Sequence, residues 1–526
     1  MQSGPDPLKE LPRAFNAVDY FIHRHSAEGR AEKTAIIDEA GTYSYEDLSD
    51  RVKRCASALG ALGLAPETRV AICMVDTVDF PTVFWGALHD GIIPVPLNTL
   101  LTTEDYDYML RDSRARALVV SAELYEKFAP IVDAIPTLKH IIISGSGSSH
   151  HTRLESLLAS ARPRDESFDT TCDDVAFWLY SSGSTGKPKG VIHLHRDLYA
   201  TARLFGDGIL KMDESDVCYS VPKLFFAYGL GNGMSFPFAA GATAIYLHER
   251  VTPDTVAQLV HKHQPTIFFG VPTFYGAMLA AQGDAGQVQF SRLRLCVSAG
   301  EALPEEIGKR WHARHGAPIL DGLGSTEMLH IFLCAAPDEV RYGTSGKAVP
   351  GYELRIVDEQ GDDVPQGELG ELIVKGPSSA AGYWNQRDKS MATFRGPWTH
   401  TGDKYYLDAD GYYHYAGRAD DMMKVSGNWV SPAEVEATLV AHPAILEAAV
   451  IGADDESGLL KPKAFVVLKD GHIAGTTLTQ ELKVFIKERL APYKYPRWII
   501  YLDTLPKTAT GKIQRFKLRD GTLSDG

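Results

Sequence analysis

Short apolar runs alternate with helix-like segments up to about residue 340. Runs such as 69–75 and 266–272 have the length of buried strands, and segments such as 80–89 and 304–315 have helical spacing. Strand and helix in alternation predict parallel sheets covered by helices on both faces. The stretch 145–173, rich in Ser, Gly, Arg and Asp, is predicted to be a surface connection between two such sheets.

The spacing of apolar positions becomes shorter in the next part of the chain. Apolar runs at 353–358, 371–376 and 411–417 are separated by Gly and Asp turns. This spacing predicts short strands in a small β-rich subdomain.

A last unit begins near Asp420. Within it, Ser431 and Pro432 have the N-cap and first-turn positions of a helix, and a second helix is predicted over 478–490. We therefore predict an α/β protein in two parts. The N-terminal domain, residues 1–419, contains two doubly wound sheets and the β-rich subdomain, and the C-terminal domain, residues 420–526, is a small α+β unit.

The longest uncharged stretch, Leu224 to Leu247, has the length of a membrane span, but Pro237 and several glycines interrupt it. We interpret it as buried loop and helix near a pocket, and we find no apolar signal peptide at the N-terminus. Six cysteines without a CxxC pair are typical of reduced thiols and predict a cytoplasmic protein. They are Cys55, Cys73, Cys172, Cys218, Cys296 and Cys334.

The charge balance narrows the choice of partner. There are 53 Lys plus Arg against 67 Asp plus Glu, a net charge of −14. This acidity argues against a nucleic-acid partner. It does not argue against small anions, which local groups can bind.

The strongest chemical signal is the segment YSSGSTGKPKG, residues 180–190, directly after an apolar run. Hydroxyls, unhindered backbone N–H groups and two lysines can surround a polyphosphate. Only two residues separate Gly183 from Gly186, so this is not a Walker loop. The alternative is a flexible surface loop. The candidate phosphate-binding residues are Ser181, Ser182, Gly183, Ser184, Thr185, Gly186, Lys187 and Lys189.

This segment resembles the phosphate-loop signature of the acyl-adenylate-forming superfamily, which includes acyl- and aryl-CoA ligases, firefly luciferase and peptide-synthetase adenylation domains. Two further segments, SAGEALP (298–304) and GLGSTE (322–327), follow in the order of that family. They resemble its adenine-side loops and carry Gly300, Glu301, Gly322, Leu323 and Gly324. Many members have an aromatic residue at the position of Leu323.

The resemblance also implies roles for the end of the second loop. Thr326 is expected to contact phosphate, and Glu327 to help hold Mg²⁺, a hard cation that prefers oxygen ligands. Alternatively, Glu327 caps a helix.

Three later positions match the family's ribose and hinge motifs. The resemblance implies that Asp403 accepts both ribose hydroxyls, that Arg418 lies near the ribose and phosphate, and that Asp420 is the hinge of a mobile C-terminal domain. Asp is an acceptor-only group suited to two hydroxyl donors. In isolation, TGD at 401–403 is a common turn and GRADD at 417–421 an ordinary charged loop.

The segment LPKTATGKIQR, residues 505–515, resembles the family's catalytic-lysine motif. The resemblance implies that Lys512 reaches between the acid and the α-phosphate, with Lys507 as a competing candidate. Lys suits this role because it is a compact charge on a flexible stem. The alternative for residues 505–515 is a solvated basic tail.

The resemblance also assigns Lys424 and Gly427 to cofactor contacts, with Gly427 beside the pantetheine tunnel.

The candidate acid pocket consists of Phe226, Ala227, Tyr228, Gly229 and His330. No acidic residue occurs from 224 to 247, which argues against an amino-acid substrate. Aromatic side chains and glycines can form a flat slot for an aromatic ring, although they could equally be ordinary core. The runs KLFFAYGLGN, GSTEMLHIFL, KVSGNWVSP and LAPYKYPR resemble those of bacterial benzoate–CoA ligases.

The expected function is ATP-dependent ligation of an aromatic acid, benzoate first, to coenzyme A through an acyl-AMP, releasing AMP and pyrophosphate. Hydroxy- or aminobenzoates and other acids of the superfamily are alternatives. ATP, Mg²⁺ and coenzyme A are the expected cofactors. No nucleic-acid or membrane partner is expected, and the protein should be a monomer or homodimer. Rival interpretations are a phosphotransferase, a non-catalytic nucleotide-binding protein, and acyl transfer to a carrier protein or oxygen.

Overall fold

The computed structural model describes residues 6–147, 150–181, 187–419, 421–425, 428–456, 459–507 and 513–519, without the side chains at 284, 285, 424, 428 and 429. The strands are β1 (Thr34–Ile37), β2 (Thr42–Ser44), β3 (Arg69–Cys73), β4 (Ile93–Pro96), β5 (Ala117–Ser121), β6 (His140–Ser144), β7 (Thr152–Arg153), β8 (Val175–Ser181), β9 (Lys189–Leu194), β10 (Val217–Ser220), β11 (Thr243–Ile245), β12 (Ile267–Gly270), β13 (Leu295–Ala299), β14 (Ile319–Gly324), β15 (Ile331–Cys334), β16 (Lys347–Ala348), β17 (Glu353–Val357), β18 (Gly370–Lys375), β19 (Gly382–Tyr383), β20 (Phe394–Arg395), β21 (Trp398–Leu407), β22 (Tyr413–Arg418), β23 (Met423–Val425), β24 (Asn428–Val430), β25 (Ile445–Asp454), β26 (Leu460–Leu468) and β27 (Trp498–Tyr501). The α-helices are α1 (Arg24–Ala27), α2 (Tyr45–Ala61), α3 (Asp79–His89), α4 (Thr103–Ser113), α5 (Leu154–Ser160), α6 (His195–Thr201), α7 (Ala227–Leu230), α8 (Phe236–Ala240), α9 (Pro253–His263), α10 (Pro272–Ala280), α11 (Gly283–Gly286), α12 (Glu305–His315), α13 (Arg387–Thr393), α14 (Pro432–Val440), α15 (Thr476–Lys487) and α16 (Arg515–Arg519).

The first sheet has five parallel strands in the order β4-β3-β5-β6-β7. The helix predicted over 80–89 is confirmed as α3. The stretch 145–173, predicted as a surface connection between two sheets, also contains β7 and α5, which the sequence analysis did not predict. Its apolar residues Leu154 and Leu158 are buried, which fixes the segment on the sheet.

The second sheet has nine strands in the order β16-β15-β14-β13-β12-β10-β11-β1-β2. Its central strands are parallel, and β2, β15 and β16 at its two edges are antiparallel. The segment 224–247 is buried as interpreted, with a helical stretch from Ala227 to Ala240 and then β11. Among the residues described, no helix combines the length and apolarity needed to cross a membrane.

Strands β8 and β9 form an antiparallel hairpin that β19 extends. The sequence pattern counted β8 among the parallel strands, and this was wrong. Only residues 182–188 connect β8 to β9, whereas a parallel crossover needs about a dozen residues or more. The predicted phosphate loop is therefore the connection of a hairpin.

The β-rich subdomain is confirmed as a sheet of β17, β18, β20, β21 and β22. From residue 421 onwards, β25, β26 and β27 form a three-stranded sheet packed with α14 and α15. The Ser431 hydroxyl accepts the Glu434 N–H at 3.1 Å, which confirms the predicted N-cap. The large hydrophobic cores before Ala416 share no member with the two cores that begin at Met423.

Candidate active site

Two of the motifs meet at one edge of the second sheet. Strand β13 ends at Ala299, directly before Gly300 and Glu301, and the adjacent parallel strand β14 ends at Gly324, directly before the turn with Thr326 and Glu327. The carboxyl ends of parallel strands lie at the same edge of a sheet, where ligands bind in open α/β folds. Residues separated by more than 20 positions in sequence thereby face one site.

Gly324 is required by the close approach of two strands. A Cβ added at Gly324 would lie 2.7 Å from the His330 carbonyl oxygen. The hairpin between β14 and β15 closes at this point, with Leu323 paired to Leu333. A Cβ at Gly322 would meet the Ile331 side chain at 2.7 Å. These glycines therefore have a packing role whether or not a nucleotide contacts them.

The Glu327 carboxylate is held in place by a tyrosine that the sequence analysis missed. The Tyr383 hydroxyl donates to Glu327 Oε1 at 2.8 Å, and burial raises the pKa of Tyr383, so the hydroxyl keeps its proton. The Lys189 ammonium lies 4.1 Å from the centre of the Tyr383 ring. The pKa of Lys189 is lowered, because the effect of burial is larger than the opposing effect of the nearby Glu327 charge.

The alternative role of Glu327 as a helix cap is wrong. The hydroxyl of Ser325 accepts the Met328 N–H at 3.2 Å and caps the short 3₁₀ turn Thr326–Met328. The Glu327 carboxylate is thus available for a ligand.

A magnesium ion fits this carboxylate. Tyr383 binds Oε1 of Glu327, and among the described residues no donor reaches Oε2. The described residues hold no cluster of three or more His, Cys, Asp or Glu side chains suited to a metal. A cation here would therefore take most of its ligands from phosphates and water, as Mg²⁺ commonly does.

The predicted pocket residues Tyr228 and His330 come together beneath this turn. Their rings are 5.6 Å apart, and Phe205 and Phe236 also contact His330. The Tyr228 hydroxyl donates to the Val297 carbonyl at 3.0 Å. Burial lowers the pKa of His330 to about 3, so its imidazole is neutral.

Asn232 belongs to the same pocket and was not predicted. Its Oδ1 lies 3.2 Å from His330 Nε2. The buried Asn232 Nδ2, His330 Nδ1 and Ser298 Oγ atoms have no hydrogen-bond partner among the described residues. Buried polar groups are normally paired, so these atoms indicate where a ligand or water could bind.

The other predicted pocket residues lie on the short helix that carries Tyr228. Ala227 and Gly229 belong to α7, and Phe226 is its N-cap residue. A Cβ at Gly229 would meet the Lys223 carbonyl oxygen at 2.1 Å, so only glycine fits there. The aromatic side chains Phe226 and Tyr228 pack against the main core, as the core interpretation expects, and their role in an acid pocket stays a prediction.

Asp403 and Arg418 face each other across β21 and β22. Arg418 NH1 donates to Asp403 Oδ1 at 3.2 Å and to the Thr401 carbonyl at 2.8 Å. The TGD segment lies within β21 and is not the isolated turn of the alternative interpretation, and Gly402 has φ +70° directly against the Arg418 guanidinium. The two predicted ribose-side residues are therefore brought together.

The structure describes the two ends of the predicted phosphate loop. Ser181 pairs with Lys189 at the loop end of the hairpin, and the Lys187 ammonium lies 4.8 Å from the centre of the Tyr108 ring. The predicted residues Ser182, Gly183, Ser184, Thr185 and Gly186 lie outside the described residues.

The described ends of the predicted lysine loop show the contacts of one candidate, Lys507. Lys507 is paired with Glu447 at 2.5 Å within the C-terminal sheet, and a β-bridge joins Lys507 to Ile513. The Ile513 N–H donates to Glu301 Oε1 at 3.2 Å, across the two units. Lys512, Asp420 and Gly427 lie outside the described residues, as does the side chain of Lys424.

The fold and this arrangement of loops define an adenylate-forming enzyme. Residues 23–384 match the family model described as AMP-binding enzyme, and residues 434–512 match the AMP-binding enzyme C-terminal domain. The chain belongs to the AMP-binding enzyme family.

Its similarity to individual members extends over nearly the full length. It is 55% identical over 519 residues to the benzoate–CoA ligase of Thauera aromatica, covering 98% of each chain. A solved benzoate CoA ligase from Burkholderia xenovorans LB400 matches with TM-score 0.90 and 50% identity, over 96% of this chain and 100% of that one. The anthranilate CoA ligase AuaEII, solved in complex with anthranoyl-AMP, matches with TM-score 0.94 and 41% identity, over 98% of each chain.

Proposed function

We propose that this protein is an aryl-CoA ligase that joins benzoate to coenzyme A and converts ATP to AMP and pyrophosphate. The observation that carries the proposal is the contact between the rings of Tyr228 and His330, 5.6 Å apart, just after the turn that holds Thr326 and Glu327. Full-length similarity to benzoate–CoA ligases supports the same conclusion.

The pocket suits a flat, uncharged ring. Tyr228, Phe236 and His330 supply ring surfaces, and aromatic rings pack favourably against each other at such distances. His330 is neutral, so the pocket offers no formal charge that would attract the carboxylate inward. The acid should therefore bind with its ring in the pocket and its carboxylate towards the nucleotide.

The first half-reaction forms the acyl-AMP. A carboxylate oxygen of benzoate attacks the α-phosphorus of ATP in line, forming one P–O bond while the bond to pyrophosphate breaks. Two anions must approach, so the barrier is lowered mainly by positioning and by fixed positive charge. We assign the phosphates to Lys187, Lys189, Thr326 and residues 182–186, and the charge between acid and α-phosphate to Lys512. When bound at Glu327, Mg²⁺ would neutralise phosphate charge.

The second half-reaction transfers the acyl group. The sulfur of coenzyme A, having lost its proton, attacks the carbonyl carbon and AMP leaves with the electrons of the broken C–O bond. Lys512 would block this approach, so the C-terminal domain must turn away. We place the domain boundary at 419/420 and the hinge at Asp420, which agrees with the division of the cores between Ala416 and Met423. Lys424 and Gly427 would then contact coenzyme A.

Product analysis tests this proposal against its rivals. Benzoate, hydroxybenzoates, aminobenzoates and aliphatic acids are incubated with Mg·ATP, with and without coenzyme A, and nucleotides are quantified. We expect AMP and an acyl-CoA with benzoate, and little turnover with aliphatic acids. ADP as the product would indicate a phosphotransferase, and AMP formation unaffected by coenzyme A would indicate a different acceptor.

Lys512 is tested by separating the half-reactions. Lys512→Ala should abolish formation of benzoyl-AMP and leave thioester synthesis from supplied benzoyl-AMP largely intact. Lys507→Ala is the matched control, because Lys507 is paired with Glu447 and should keep both activities. Equal loss of both half-reactions in Lys512→Ala would contradict the assignment.

The compartment, the partners and the oligomeric state of the enzyme are also proposed. The free cysteines, of which only Cys172 is not buried, and the net charge of −14 support a cytoplasmic enzyme without a nucleic-acid partner. A monomer or homodimer is proposed.

A further inference from the structure

The turn that connects the Mg²⁺ side of the site to the acid pocket has a strained backbone. Leu329 has φ +64° and ψ −39°, and the His330 N–H donates to the Met328 carbonyl at 2.8 Å. This is a γ-turn with positive φ at a bulky residue, which is rare and costs energy. Such a turn persists only when its surroundings hold it, so the contacts of its neighbours matter.

Three successive carbonyls before Leu329 are each held by a donor from another part of the chain. His193 Nε2 lies 2.8 Å from the Thr326 carbonyl oxygen. The Ala380 N–H donates to the Glu327 carbonyl, also at 2.8 Å. The Ser378 hydroxyl donates to the Met328 carbonyl at the same distance. The backbone on which the Thr326 and Glu327 side chains depend is thus fixed from outside the turn.

His193, the first of these donors, is itself held by a buried carboxylate, that of Asp197. It is fully buried, and its Nδ1 lies 2.9 Å from Asp197 Oδ2. The same oxygen accepts the Leu194 N–H at 3.0 Å, and Phe177 stacks on the imidazole. A carbonyl oxygen can only accept, so the proton facing Thr326 is on Nε2. Asp197 therefore fixes the orientation of the ring that donates to Thr326.

We propose that His193, oriented by Asp197, is a positioning residue for the Mg·ATP half-reaction and acts by holding the Thr326–Glu327 backbone. An ordinary core histidine would be satisfied by a nearby helix carbonyl. Here the hydrogen bond joins residues 133 positions apart in sequence and ends on the turn that the proposed function assigns to the phosphates. The inference rests on the proposed function, because it assigns the benefit to adenylate formation.

Two amide substitutions separate the two hydrogen bonds of His193. In His193→Asn the amide nitrogen replaces Nδ1 and can still donate to Asp197, but nothing reaches Thr326. In His193→Gln the amide nitrogen replaces Nε2 and can still donate to Thr326, but the contact with Asp197 is lost. A purely structural role would make activity follow stability in both variants.

The measurements are the KM for Mg·ATP in benzoyl-AMP formation, the rate of thioester formation from supplied benzoyl-AMP, calorimetric binding of a non-hydrolysable ATP analogue, and Tm. We expect His193→Asn to raise the KM and the Kd for the analogue about tenfold, the scale of one lost hydrogen bond. Thioester formation should stay within about twofold, a change below the contribution of one hydrogen bond. His193→Gln should keep a near-normal KM and lose more Tm than His193→Asn. Phe177→Leu, which changes core packing against His193 and Phe84 and leaves both hydrogen bonds of His193 in place, should lower Tm without changing the KM.

The opposite pattern overturns the inference. It fails if the KM in the two amide variants follows Tm, or if His193→Asn slows both half-reactions equally. If His193→Asn does not fold, Ser378→Ala, which removes the donor to the Met328 carbonyl, must raise the KM for Mg·ATP selectively or the inference fails. Absence of AMP formation by the unmodified enzyme would instead refute the proposed function itself.

Discussion

Removing the Tyr383 hydroxyl tests how much the held Glu327 carboxylate contributes. Tyr383 is 6% exposed and donates to Glu327 Oε1 at 2.8 Å. Tyr383→Phe keeps the ring beneath the Lys189 ammonium and removes the hydroxyl, which also has a long contact of 3.4 Å with Thr393 Oγ1. The expected result is a weaker hold on Mg·ATP with little change in fold.

The magnitude follows from the kind of bond that is lost. A hydrogen bond to a charged group is worth about 1.5–3 kcal/mol, a factor of about 10 to 150. Glu327 is only partly buried, so water can replace the donor in part. We therefore expect kcat/KM for Mg·ATP in benzoyl-AMP formation to fall about tenfold, at the lower end of that range.

The assay is initial-rate pyrophosphate release over a series of ATP and Mg²⁺ concentrations. Part of the loss should be recovered at high Mg²⁺. Tyr45→Phe is the control, because Tyr45 is equally buried and its hydroxyl donates to the Ala242 carbonyl at 2.6 Å, far along the sheet from Glu327. The reasoning is refuted if both variants lose the same activity, or if Tyr383→Phe lowers Tm as strongly as it lowers kcat/KM.

Two further predictions concern the adenine-side loop. Glu301→Ala removes the acceptor of the Ile513 N–H, so it should slow benzoyl-AMP formation several-fold and spare the thioester step. The control is Glu305→Ala, in an exposed pair with Lys309, which should change neither step. Equal losses in both steps of Glu301→Ala would contradict the prediction. Burial raises the pKa of Asp321 from 3.8 to about 7, so the folded state keeps a proton that the unfolded state releases, and its stability falls as pH rises between these values. The Tm advantage of Asp321→Asn, measured by scanning fluorimetry, should therefore grow from pH 4 to pH 7 and then level off, and a constant difference would refute the shift.

The local motifs could be predicted from the sequence because each is a short segment whose chemistry depends on adjacent residues. The Gly300–Glu301 and Gly324–Glu327 segments follow apolar strands of recognisable length, so their meeting at one sheet edge follows from strand order. The sequence analysis also assigned Asp403 and Arg418 to the same side of the ribose, and the structure pairs them. The antiparallel direction of β8 and β9 was not, because strand direction is set by pairing and not by apolar spacing.

The sequence by itself determined the family, the two-part chain and most of the residues assigned to ATP and the acid, since these depend on residue type and order. Only the tertiary structure decided which side chains hold those residues: Tyr383 on Glu327, His193 on Thr326, and Glu447 on Lys507. Each of these contacts joins positions at least 56 apart, and a hydrogen bond tolerates only a few tenths of an ångström. No local pattern specifies a distance that the packing of whole sheets must set.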